Sequence, residues 1–226
     1  MTTSRLLTIP LLCATLGTCL LSAADFSSYR GFKFGMNLSR AAEQAGMKPN
    51  EAKLEDKRPV MIQVLDFQPN LFNSAVAKDD PVSEITLSFS NDALFRMAVI
   101  YDRYKVDGMT AEDMIQALSK TYGTASRPKA EIAFHSYYGD TAPVVARWED
   151  SDYSYNLIRA EDRSTFGLVL YSKTLDAQAQ TGMMEAARLD ALEAPQKEAE
   201  RVKKQAEENE AEQEKSRLAN KASFRP

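Results

Sequence analysis

"GMNLSRAAEQAG", Gly35–Gly46, and "GMTAEDMIQALSKTYG", Gly108–Gly123, open on the same Gly-Met-polar phrase and close on glycine. Asn37 and Thr110 stand where a side-chain oxygen can accept a backbone N–H from a first helical turn. Beyond them, Leu38, Ala41, Ala42 and Ala45 in one segment and Met114, Ile115 and Leu118 in the other recur at helical spacing. Asp113 adds a carboxylate to the second first turn, where the helix dipole favours it. Gly46 and Gly123 are natural stops. Each segment is therefore expected to be a short capped helix.

Both expected helices precede runs that read as strands. After the first come "RPVMIQVLDF", "SEITLSFS" and "LFRMAVIYDRY", with Ile85, Leu87 and Phe89 alternating with Glu84, Thr86 and Ser88. The turn residues "SND" ending at Asp92 predict a hairpin between the second and third runs. After the second helix come "EIAFHSYY", "APVVARWED", "SYNLIRA" and "TFGLVLYSK", with turns at "DSD" ending at Asp152 and "EDRS" ending at Ser164. The expected fold class is α+β: tandem helix-plus-antiparallel-sheet units over 25–105 and 106–173, then a charged helical tail over 174–226. Two ordinary helix caps on an unrelated α+β domain are the alternative.

Units of this kind, opened by Gly-small-polar and closed by Gly-x-Pro, resemble the fold shared by outer-membrane assembly lipoproteins of the SmpA/OmlA (BamE) type and the tandem β-lactamase-inhibitory proteins. The stretch "GMNLSRAAEQAGMKP", ending at Pro49, carries the pattern, while the second copy inserts residues before Pro128. With the strand pattern, the likeness extends over Asp25 to Lys173. It implies an exported domain that binds other proteins or scaffolds an envelope complex.

The chain begins "MTTSRLLTIPLLCATLGTCLLSAADF", where an apolar run follows Arg5 and ends on Ser22, Ala23 and Ala24. That pattern predicts a signal peptide over 1–24 and a mature start at Asp25, giving a periplasmic or secreted protein. The run is short and interrupted for a bilayer span, so none is expected in the mature chain. The two cysteines, Cys13 and Cys19, fall within it, leaving no thiol after cleavage. "LGTC" loosely resembles a lipoprotein cleavage box, making acylation of Cys19 the alternative. A formal net charge of −4 without a basic cluster speaks against nucleic acid as the partner.

No established catalytic motif is present in the sequence, and no cofactor or metal is expected. The single histidine, His135, adjoins Ser136 with Asp140 nearby, but neighbours on a strand point to opposite faces and cannot build a triad. Acids gather at Asp79–Asp80 and at Glu149, Asp150 and Asp152, where turns are expected. Solvated turn acids explain both; an envelope-polymer hydrolase using Glu149 and Asp152 is the enzymatic alternative. The favoured reading is a non-enzymatic binding or scaffolding domain whose partner is another envelope or secreted protein. Aromatic rings on one sheet face could form its contact, with Tyr138, Trp148, Tyr153 and Tyr155 as candidates, and the turn-rich loop "LDFQPNLFNSAVAKDDP" adds Phe67 and Phe72 as a second candidate contact. Alternation permits the same rings to pack a core. In the tail, Glu193–Lys197 and Glu200–Lys204 have the favourable i, i+4 order, and Val202, Ala206 and Leu218 are too sparse for a coiled-coil seam. Pro195 is expected to divide a docked helix, "AQTGMMEAARLDALEA", from a solvated one.

Overall fold

The computed structural model describes residues 24–69, 80–133, 141–159, 165–223 and 225. Residues 1–23 of the expected leader, with Arg5, Cys13 and Cys19, lie outside the described residues, as do Phe72, Asp79, His135, Ser136, Tyr138, Asp140 and the turn ending at Ser164.

Arg30 and Gly31 take φ values of 51° and 86°, the left-handed pair that a two-residue hairpin needs. They join β1 (Ser28–Tyr29) to β2 (Phe32–Lys33). Helix α1 (Leu38–Ala45) follows, capped as the sequence predicts: Asn37 Oδ1 accepts from Arg40 N at 3.0 Å, and left-handed Gly46 ends the helix. A 3-10 turn, Pro49–Glu51, leads into β3 (Lys53–Asp56), β4 (Ile62–Phe67), β5 (Val82–Ser90) and β6 (Ala93–Tyr101). Asn91 and Asp92 turn the β5–β6 hairpin at positive φ, and Asp92 Oδ1 reaches back to accept from Leu38 N at 2.9 Å.

Helix α2 (Ala111–Tyr122) begins on a reciprocal cap between Thr110 and Asp113. It precedes β7 (Glu131–Ala133), β8 (Thr141–Glu149), β9 (Tyr153–Arg159) and β10 (Phe166–Ser172). All eight strands from β3 onward form one antiparallel sheet in the order β3-β4-β5-β6-β10-β9-β8-β7. The strand set after α1 and the set after α2 therefore meet through their last members, β6 and β10, at the centre.

Alternation along these strands separates two faces. One carries Leu65, Leu87, Phe89, Met97, Val99, Leu157, Leu168 and Leu170, and packs in a single core with Leu38, Ala41 and Ala42 of α1 and Met114 and Ile115 of α2. Side chains from both strand sets share this core. The opposite face carries Ile62 and Phe95, which pack on Ala179 of α3 (Lys173–Ser223). At the middle of that face Arg96 binds Asp176 through two bonds, Nε–Oδ1 at 2.7 Å and Nη2–Oδ2 at 2.9 Å, and gives Nη1 to the Ala133 carbonyl at 2.9 Å. Buried Asn156 is likewise satisfied, accepting from Arg147 Nε at 2.6 Å and donating to Ser154 Oγ and Val169 O.

The third helix corrects the expectation of a break at Pro195, since it runs unbroken for 51 residues with that proline inside. Proline removes one N–H, but this part of the helix faces water, which can satisfy the freed carbonyl. Ion pairs also straddle the site: Lys197 meets Asp190 at 3.1 Å and Glu193 at 3.2 Å, and Glu193 is held by Arg58 of the domain. Docking ends there. Asp176, Ala179, Gly182 and Ala186 are buried, whereas every described residue from 194 to 223 is exposed. Lys204 pairs with Glu208 at 3.8 Å rather than with the expected Glu200. Among the described residues, no helix is long and apolar enough to cross a membrane.

Candidate functional site

Between the β1–β2 hairpin and α2 lies a hollow of about 480 Å³. Met114 and Leu118 stand one turn apart on α2 and Tyr122 one turn further, so a single helix face supplies one wall. Tyr29 of the hairpin, Tyr101 at the end of β6, and Val106 and Met109 of the following turn supply the rest. The walls are mostly apolar, with Arg30, Lys105 and Thr121 among the polar residues on the lining. Burial pushes the Tyr29 and Tyr101 phenols above their ordinary value of 10 and that of Tyr122 up to about 12. At neutral pH all three keep their protons and act as hydrogen-bonding groups, not as phenolate nucleophiles.

Arg30 closes one side. Its guanidinium meets Asp80 in a two-bond pair, 2.6 and 2.7 Å, and Asp80 Oδ1 also accepts from Val82 N at 2.9 Å. The Arg30 hydrogen bond holds the Asp80 carboxyl below its usual range, and the same bond raises the guanidinium. This contact ties the hairpin to the entry of β5, fifty positions along the chain.

An aromatic cluster backs the wall. Tyr122 lies edge-on to Tyr155 at 5.0 Å and at 6.3 Å from Trp148, while Phe26 contacts both Tyr122 (5.9 Å) and Tyr155 (5.1 Å). Trp148 Nε1 donates to Gly123 O at 3.0 Å and Ser119 Oγ at 3.2 Å, fixing the end of α2, and the Tyr155 hydroxyl donates to Ser28 O at 2.8 Å. Trp148 and Tyr155 are therefore interior supports and present no ring to a partner. Phe67 is also buried, packed on Phe32 at 5.4 Å, because its register on β4 aims it into the core instead of the loop. Tyr153 is half-buried and stacks on Phe34 at 5.4 Å. Phe72 and Tyr138 fall outside the described residues.

The acids considered for hydrolysis have structural tasks. Asp150 Oδ1 accepts from the backbone of Asp152 and Tyr153 at 2.8 and 2.7 Å, shaping the β8–β9 turn. Glu149 pairs with Lys173 at 2.8 Å, and Asp152 accepts from Ser151 Oγ at 2.9 Å.

Sequence reasoning missed Tyr29, Arg30, Tyr101 and Tyr122. The only available signal was Tyr122 continuing the Met114–Leu118 stripe past its expected end; the Arg30–Asp80 pair leaves no trace in local periodicity. No family model, curated protein or solved structure matches this chain.

Proposed function

We propose that this chain is an exported, non-enzymatic binding protein that holds an apolar side chain of a partner protein in the α2–hairpin hollow. The observation supporting it is the hollow itself: mostly apolar walls held in place by the Arg30–Asp80 pair and the Trp148–Tyr155–Tyr122 cluster. A cavity rigid before binding saves the ordering that a partner contact otherwise costs. The exposed part of α3 serves as a spacer or second contact, since 194–223 spans about 45 Å at 1.5 Å per residue.

Export rests on Arg5 and the apolar run ending at Ala24, and the BamE-like phrase at Gly35–Pro49 agrees with an envelope scaffold. The arrangement of one helix before each strand set, with the two sets meeting at β6–β10, supports an origin by internal duplication.

Photo-crosslinking in producing cells tests the binding role. Benzoylphenylalanine placed at Thr121, on the lining, should give one discrete protein adduct, and a Leu118→Glu change in the same chain should abolish it while circular dichroism remains unchanged. An adduct that survives Leu118→Glu in the folded protein, or none from Thr121, excludes the hollow as the docking place.

A further inference from the structure

Val106 and Met109 also line a second hollow, of about 340 Å³, whose other walls include Arg103, Tyr104, Asp107, Arg159 and Phe166. Its chemistry differs from that of the first. Asp102 builds the turn that presents it, accepting from Tyr104 N at 2.8 Å and Lys105 N at 3.3 Å while its own N–H bonds Pro81 O. The turn leaves Tyr104 80 % exposed, an uncommon position for so large an apolar ring. The Arg103 guanidinium lies 5.2 Å from the Tyr104 ring centre, and that of Arg159 lies 4.8 Å from the buried ring of Phe166. A guanidinium held near a ring by cation–π attraction still has N–H donors to offer an oxyanion.

Among the described residues, neither arginine is paired with a carboxylate, and Asp107 makes no hydrogen bond or ion pair. Two cations alone would suit any anion. Asp107 narrows the choice, because a carboxylate in the recess repels a bare polyanion but accepts from hydroxyl groups. The ligand must then carry an acidic group together with hydroxyl donors, and a ring flat enough to lie on Tyr104.

The geometry points to a recess for an anionic sugar: Arg103 and Arg159 take its phosphate or carboxylate, Tyr104 takes a face of the ring, and Asp107 accepts from its hydroxyls. This site adjoins the apolar hollow, with Val106 and Met109 between them, and does not depend on a protein occupying that hollow.

Amide-proton NMR titration of the full chain with glucuronate, glucose-6-phosphate, glucose and inorganic phosphate tests the assignment. Both sugar acids should give saturable shifts confined to the turn around Arg103–Gly108 and the end of β9, with glucose about tenfold weaker or more, as expected on losing a charge-assisted contact. The tighter of the two acids identifies the anion. Arg103→Gln and Arg159→Gln should each weaken both acids by about the same factor. Tyr104→Ala, which removes both the sugar-facing ring and the support of Arg103, should weaken the sugar acids more than inorganic phosphate. Asp107→Asn should weaken the sugar acids while strengthening inorganic phosphate, an inversion that general loss of structure cannot produce. All four side chains are exposed, and the remaining amides report whether the fold is intact. Equal shifts from glucose and the sugar acids, no saturable shift, or unchanged binding in both arginine variants overturns the proposal.

Discussion

Arg96 is a cation in a place where charge is costly, with its side chain 5 % exposed and that of Asp176 12 % exposed. The bidentate contact and the bond to Ala133 O compensate for desolvation, so breaking one partner is worse than removing both. Asp176→Asn should lower stability by about 3–5 kcal/mol, read from the urea midpoint at constant slope, while Arg96→Met with Asp176→Leu should lose much less. An equal loss in the single and double variants would show that packing, not charge, holds α3. Asp80 makes a smaller, pH-dependent contribution. Its folded pKa lies below the ordinary 3.8, so its stabilisation is complete above that value and disappears as pH falls through the lower folded one. Asp80→Asn should cost about 1 kcal/mol at neutral pH, given the partly exposed Arg30, and nothing at pH well below the carboxylate range. Parallel urea curves for parent and variant at the two pH values check this.

At the level of elements, α3 joins a docked segment to a solvated one, and each half makes a different demand. Gly182 sits where a Cβ would clash with both γ-methyl groups of Val60, so the close approach of helix to domain requires its missing side chain. Helix propensity favours Gly182→Ala by about 1 kcal/mol, but the clash costs about 1–3 kcal/mol, so the variant should be less stable. Adding Val60→Ala to Gly182→Ala should recover part of the loss in thermal midpoint. Beyond Glu193 no described side chain is buried. Truncation after Ala194 should therefore leave the midpoint of the remaining domain within a few degrees of the parent; a larger drop would place the arm on the domain. At the start of α2, Thr110 Oγ1 accepts from Asp113 N at 3.2 Å, and Asp113 Oδ2 accepts from Thr110 N at 2.8 Å. Thr110→Ala should cost about 1 kcal/mol in chemical denaturation.

For the molecule as a whole, the proposed route outward is checked by mass spectrometry of the protein recovered from producing cells. Its first residue should be Asp25 without acylation; a lipid on Cys19 would make it an anchored protein. The α+β class, both early helices with their caps, the β5–β6 hairpin and the charged tail were legible in the chain because each depends on residues within a few positions of one another. Asn37 needs only Arg40, Thr110 needs only Asp113, and the Asn91–Asp92 turn needs only its flanking strands. The tail's course through Pro195 was not legible, since the local rule for proline predicts a break and the Arg58–Glu193 pair that ties the helix to the domain just before it comes from another part of the chain. Nor were the candidate hollows. Alternation placed Tyr153 and Tyr155 on one face of their strand, but whether that face was core depended on where α1 and α2 came to rest. Tyr29, Arg30, Tyr101 and Tyr122 become one site only when the hairpin and α2 meet over the same sheet end. Local spacing sets which residues share an element's face; what that face meets is decided by long-range packing, through contacts such as Arg30–Asp80 and Arg96–Asp176 that span fifty and eighty positions.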